Sequence, residues 1–365
     1  MFAKKNLVAA AALLALVGVA QAQSSVKLYG YLEADVGSYK AVGGKTTTKV
    51  QSGDMMTSFI GFSGVEDLGS GLKAEFALES FIGGDTGSNV PNQAGQFWSR
   101  TSWVGLSGGF GRVALGQYDN ALFTAGYTYN PFGSSMTFSP TMRHFYDLGS
   151  TTRGNAGTYA LSQGDTGWVN SITYETPVFG GFAGSLQFSP KESSSSGDKN
   201  SYTVSGSYNN GPFSAMAVYV DGGKAPKVTS SAAASPYIMA FRSASFGASY
   251  DFGVVKAFGQ YTRFKYYSDG LFDLDVNAPD GSVNKANVWQ LGVSVPVTAS
   301  GSVLASYGEA KYKGPTDGSA KDKILSLGYD HALSKRTSVF TAFTSEKLTD
   351  EKSGRAFAVG VKHNF

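Results

Sequence analysis

The segment AFAVGVKHNF, residues 356–365, changes side-chain character at every step. Phe357, Val359, Val361, His363 and Phe365 fall on one face, large and mostly apolar. Ala356, Ala358, Gly360, Lys362 and Asn364 fall on the other, small or polar. A period of two belongs to a strand and not to a helix. Terminal residues of soluble domains usually fray into water, so a regular strand with an aromatic end needs an apolar surrounding.

The same alternation recurs along the chain. In Val26–Val36, Val26, Leu28, Gly30, Leu32, Ala34 and Val36 oppose Lys27, Tyr29, Tyr31, Glu33 and Asp35. In Leu72–Ser80, Leu72, Ala74, Phe76 and Leu78 oppose Lys73, Glu75, Ala77 and Glu79. Sixteen candidate strands can be marked, most bounded by Gly, Pro, Ser or Asn. Their connections alternate in length. Short turns, such as 65–71, 108–111, 177–181 and 209–212, separate long stretches rich in Ser, Gly, Asp and Lys at 40–53, 80–96, 118–167, 189–200, 221–242, 266–287, 312–322 and 346–355.

That segregation is the pattern of an up-and-down barrel in a bacterial outer membrane, with turns on the periplasmic side and loops outside. In lipid every backbone N–H and C=O needs a partner, which a closed barrel supplies without an edge. The expected fold is all-β, a 16-stranded antiparallel transmembrane β-barrel. Side chains do not fill a barrel of that width, so water does. The polar faces then line a channel, placing Lys27, Tyr29, Tyr31, Glu33, Asp35, Lys73, Glu75 and Glu79 in the lumen. Trp103, Trp289 and Tyr329 suit the outer wall and its aromatic girdles. A large secreted β-solenoid or adhesin lacks support, since no repeat of fixed period is present.

Composition agrees. Glycine numbers 47 of 365 residues and Tyr and Phe together 45, with no cysteine, so neither a disulfide framework nor a thiolate metal site is available. Residues 1–22, MFAKKNLVAAAALLALVGVAQA, have a basic start, an apolar stretch and an A-x-A site. They read as an export signal cleaved before a barrel of residues 23–365. Without Lys4 and Lys5 the formal charge of +3 falls to +1, which argues against nucleic acid as a partner.

Several stretches resemble the general diffusion porins of Gram-negative outer membranes: SSVKLYGYLEADVG at 24–37, GFSGVEDLGSGLKAEFALE at 61–79 and SWVGLSGGFGRVALGQYDN at 102–120. NSITYETPVFGGFAGSLQFS at 170–189, HALSKRTSVFTAF at 331–343 and the closing VGVKHNF continue the likeness in order. The resemblance implies a homotrimer of sixteen-stranded barrels in outer-membrane lipid and lipopolysaccharide. It also implies that the third long loop folds inward to narrow each pore. Residues 118–167 are the longest connection and carry Tyr127, Tyr129, Phe132, Phe138, Phe145 and Tyr146, which suits a loop packed on a wall.

Within that loop YNPFGSS, holding Tyr129, Asn130, Pro131, Phe132 and Gly133, is similar to the tip that family members place at the constriction. The family's arginine ladder keeps Arg100, whereas Phe59 and Thr173 stand where arginines are common, which argues against strong anion selectivity. Arg100 is expected to share a face with Ser102 and Val104. Arg143, His144 and Arg153 against Asp147 give the central loop a basic balance. The terminal aromatic, Phe365 with His363 before it, resembles the signal read by the barrel-assembly machinery.

The function expected is passive diffusion of ions and small hydrophilic solutes with weak charge selectivity. A substrate-specific channel for small aromatic or anionic solutes is the rival, and a surface adhesion barrel a more distant one. Catalysis is not expected. The chain has only His144, His331 and His363, with no Ser or Asp partner that the sequence can place beside His144. No calcium-loop spacing or phosphate-binding motif is present, so no cofactor or metal is expected.

Overall fold

The computed structural model describes residues 25–89, 96–146, 167–192, 199–223, 241–266, 285–313 and 319–365. The expected signal at 1–22 lies outside these residues, as do Asp147 and Arg153. Seventeen strands and two short helices are described. They begin with β1 (Ser25–Lys40), β2 (Thr46–Gln51), β3 (Phe59–Gly69), β4 (Leu72–Phe81), β5 (Thr101–Gly108) and β6 (Gly111–Asp119). The inward loop then carries α1 (Ala121–Thr128) and α2 (Pro140–Tyr146). Next come β7 (Gly167–Glu175), β8 (Phe182–Ser189), β9 (Ser201–Asn210), β10 (Phe213–Asp221) and β11 (Phe241–Asp251). The chain finishes with β12 (Lys256–Tyr266), β13 (Lys285–Pro296), β14 (Gly301–Lys313), β15 (Ser319–Ala332), β16 (Thr337–Leu348) and β17 (Gly354–Asn364).

Sequential strands pair antiparallel, and β17 returns to β1 with Tyr31 opposite Asn364 and Lys40 opposite Arg355. The sheet is therefore closed. Seventeen strands make sixteen staves, because β2 and β3 share one edge of β1: Ser25–Tyr31 pairs with β3 and Asp35–Lys40 with β2. Residues 40–53 are thus not wholly loop. Thr46–Gln51, TTTKVQ, is rich in β-branched residues and folds back on β1 as a hairpin. The connections after β14 and β16 are also shorter than expected, since β14 runs to Lys313 and β15 starts at Ser319.

Alternation along each stave decides which solvent it meets. Leu28, Leu32, Leu291, Leu327, Phe357 and Val359 stand exposed on the outer wall. Apolar side chains exposed right round a molecule are untenable in water and fit a lipid surrounding. The inner wall is small and polar, cross-linked by Ser245 with Thr262 at 2.7 Å, Ser326 with Thr344 at 2.9 Å and Ser185 with Ser205 at 2.7 Å.

The loop crosses the lumen and packs on the far wall. Asn120 caps α1, its side chain accepting from Leu122 N at 2.9 Å while its amide donates to Gln187 and Thr203. Tyr129 and Phe145 join Phe264, Val288 and Tyr312 in one apolar cluster, and Phe132 and Phe138 join Leu304 and Phe340 in another.

The loop approaches the wall closely because glycines receive it. A Cβ at Gly292 would stand 2.5 Å from Pro131, at Gly247 2.4 Å from Tyr129, at Gly308 2.7 Å from Pro140 and at Gly328 2.9 Å from Phe132. Gly292→Val is therefore expected to lift the loop tip, overpacking of this kind costing about 1–3 kcal/mol. The readout is single-channel conductance, expected to fall about 1.5-fold because a tip lifted off the wall enters the open lumen. Parental conductance from a correctly folded variant would show that the tip does not narrow the pore.

Candidate functional site: the lane beside the inward loop

With the loop seated on β11–β16, the open lumen lies along the opposite staves. A cavity of about 680 Å³ runs there, lined by residues of β3–β10 together with Tyr29 of β1 and Ala121, Thr124 and Tyr127 of the loop. Six charged side chains face it: Glu75, Glu79, Asp119, Glu175, Arg100 and Arg112.

At mid-height Arg100 forms an ion pair with Glu79, which also accepts from the Tyr29 hydroxyl. The Arg100 guanidinium lies 4.5 Å from the Phe59 ring centre, a cation–π contact. Closer to the periplasmic turns Arg112 holds two carboxylates, Glu75 at 3.0 Å and Glu175 at 3.1 Å. It also donates to Tyr118 at 3.0 Å and lies over Trp103 at 5.6 Å. Tyr118 donates in turn to Glu175 at 2.9 Å.

Of the residues singled out from the sequence, Arg100, Tyr29, Glu75, Glu79 and Thr173 face this lane together. Lys27 and Lys73 are exposed near the strand ends beside the turns. Tyr31 and Phe59 are buried with Phe81 and prop the wall more than they touch the lumen. Glu33 is buried behind them, accepting from the Met55 and Met56 amides at 3.0 and 2.9 Å. Asp35 accepts from Tyr39 at 2.7 Å. His363 is exposed on the outer wall and bonds Thr337, and Phe365 closes on Gly30.

Four expectations are corrected. Trp103 faces the lumen, not lipid: it lies opposite Ala77 on β4, and both line the lane. Ser102 and Val104 accordingly do not share a lumen face with Arg100, since Val104 is 59% exposed on the outer wall. Arg100 precedes β5, where Ser99 accepts from Phe81 N at 3.0 Å and the chain bends inward, so parity does not carry across the strand start. The loop tip does not line the opening. Tyr129, Asn130 and Phe132 are buried, Pro131 sits on Gly292, and Asn130 closes the turn by bonding Gly126, Gly133 and Phe132.

Arg143 is not a pore charge. It is 2% exposed and bonds Glu346 of β16 at 2.6 Å, behind the loop. His144 is buried beside Asp322 of β15 at 3.7 Å, a carboxylate partner invisible in the sequence but sealed from any substrate. A second fastening is Asp54, between β2 and β3, which accepts from Tyr39 at 2.5 Å, Gln51 at 2.6 Å and Thr137 of the loop at 2.8 Å. Burial raises its carboxyl above the usual carboxylate range, and those hydrogen bonds offset part of the rise. The lane residues missed in the sequence are Arg112, Tyr118, Asp119, Thr124, Tyr127 and Glu175. An Arg near the start of β6, facing Glu175 near the end of β7 directly across the sheet, was the only available signal.

A family model described as Gram-negative porin matches residues 9–351. Outer membrane porin protein 32 of Delftia acidovorans is 35% identical over 373 residues, covering 98% of this chain and 93% of that protein. An outer membrane porin protein of Bordetella pertussis is 29% identical over 414 residues, covering 99% of this chain and all of that one. Among solved structures, an anion-selective porin from Comamonas acidovorans superposes with a TM-score of 0.70 at 29% identity, over 94% of this chain and 100% of that one. The trimer form of OmpT of Vibrio cholerae matches with a TM-score of 0.66 at 13% identity, over 94% and 99% of the two chains, a likeness of fold.

Proposed function

The chain belongs to the Gram-negative porin family and forms an outer-membrane diffusion channel, and we propose that this channel passes ions and small hydrophilic solutes with weak charge selectivity. The observation that carries the weak selectivity is the pairing of both lane arginines: Arg100 with Glu79, and Arg112 with Glu75 and Glu175. A paired charge presents a dipole to a passing ion, and its field falls off faster than that of a free charge. Reversal potentials of single channels in a KCl gradient test this. Cation-to-anion permeability within about fivefold of unity is expected. A strongly selective channel of either sign would overturn the reading.

The rings of Tyr29, Trp103, Tyr118 and Tyr127 along the lane favour a second reading, a channel with a preferred aromatic solute. Swelling of protein-bearing liposomes across solute concentrations separates the two. A general pore gives flux linear in concentration, and a binding track saturates.

The same reading includes a homotrimer whose outer walls meet lipid, lipopolysaccharide and each other. It also includes a cleaved signal at 1–22, a barrel of 23–365, and recognition of the strand ending in His363 and Phe365 by the assembly machinery. The trimer form of a neighbour of like fold supports the oligomer. The outward apolar face of β17 supports contact with lipid or a second subunit.

A further inference from the structure

We infer that the lane prefers cations to anions, and among organic solutes prefers small amines with an aromatic or apolar body. The inference rests on the diffusion-channel reading and adds the sign and the solute class. Four carboxylates line the cavity against two guanidinium groups, a balance of −2 among the described lining residues. Both arginines are already engaged by glutamates, so a passing anion meets charges that are partly neutralised. Glu175 in turn bonds Arg112 and Tyr118, and its side chain is 38% exposed, so what a passing cation meets is the surplus of carboxylates over guanidinium groups.

Low-dielectric walls focus such an imbalance on the solute path. The rings beside it add a second term. Trp103 and Tyr118 pack edge to face at 5.3 Å, and Arg112 already lies over the Trp103 ring. An ammonium group gains from such π faces, and a carboxylate is repelled by them. The anion selectivity of the Comamonas acidovorans porin is thus a property in which this chain is expected to differ.

The test is single-channel reversal potential in KCl at low and high ionic strength, followed by phenethylammonium chloride and potassium phenylacetate as size-matched probes. The potassium-to-chloride permeability ratio should be about 2–5 at low salt and move toward unity at high salt as screening shortens the range of the field. Phenethylammonium should permeate about threefold faster than phenylacetate or more. Glu175→Gln should bring the potassium-to-chloride ratio closer to unity, and adding Asp119→Asn should bring it closer still. A ratio at or below one, or one that these substitutions leave unmoved, overturns the inference and leaves the diffusion channel intact. Faster passage of phenylacetate overturns the preference for amines. A ratio far above the expected range would instead overturn weak selectivity, so the two readings fail separately.

Discussion

Replacing Arg143 by methionine is expected to loosen the inward loop while leaving the barrel closed. Arg143 and Glu346 are 2% and 3% exposed and bonded at 2.6 Å between the loop and β16, where Phe138, with no exposure, packs with Phe340 and Ala342. Breaking a buried pair by removing one partner costs about 3–5 kcal/mol, because the remaining buried charge loses the opposite charge that faced it. In Arg143→Met that charge is Glu346. The cheapest relief is for the loop to move away and let water reach the carboxylate, since the strands are held by their own ladder.

The expected result is a lower melting temperature of the loop, read by its sensitivity to protease. It should come with noisier single-channel currents of lower mean conductance, since a loop leaving the wall enters the lumen. The double variant Arg143→Met, Glu346→Leu removes both charges and should recover much of the loss, as buried pairs replaced together by apolar residues often do. A single variant that conducts and resists protease like the parent would show that the glycine seats and Asp54 hold the loop without this pair. Failure of the double variant to recover would mean that Glu346 serves some other partner.

Most of the barrel was legible because its physics is periodic. Leu28, Leu32 and Val36 had to face lipid if Tyr31, Glu33 and Asp35 faced inward, and one register satisfies all of them. The short turns were legible for the same local reason: GSG at 69–71 adopts positive φ at all three residues, at Ser70 as well as the glycines, and leaves no room for a loop. The site was less legible because it is built from contacts distant in sequence. Arg143 read as a pore charge, yet its partner is 203 residues away and no local pattern says which side of α2 turns to the wall. Trp103 read as a girdle residue because Arg100 was assumed to share the parity of β5, and the start of β5 at Thr101, after Arg100, breaks that assumption. The wall glycines carried no visible meaning until Tyr129, Pro131 and Phe132 were seen resting on them.

The second large effect concerns the segment in which strand periodicity is plainest. Phe365 joins the two ends of the sheet: its N–H donates to Gly30 O at 3.1 Å, and Gly30 N donates to its carbonyl at 3.3 Å. Its ring lies on the outer wall over Gly30, where a Cβ would stand 2.4 Å from the ring. Two roles are mixed here, a signal for assembly and a rivet in the seam, and two substitutions separate them. Phe365→Ala removes the ring and so affects both. Gly30→Val leaves the aromatic in place for recognition but displaces it from its seat.

Burial of part of a phenyl ring is worth about 1–2 kcal/mol, which corresponds to a loss of about tenfold in an assembly equilibrium. If the rivet matters, both variants should lower the yield of heat-resistant folded protein by that order, and whatever assembles should conduct like the parent, since the ring lies on the outer wall and the lane on the inner one. A deficit in Phe365→Ala alone would assign the residue to recognition. Normal yield from both would remove Phe365 from barrel closure, leaving the β1–β17 ladder to hold the seam by its backbone.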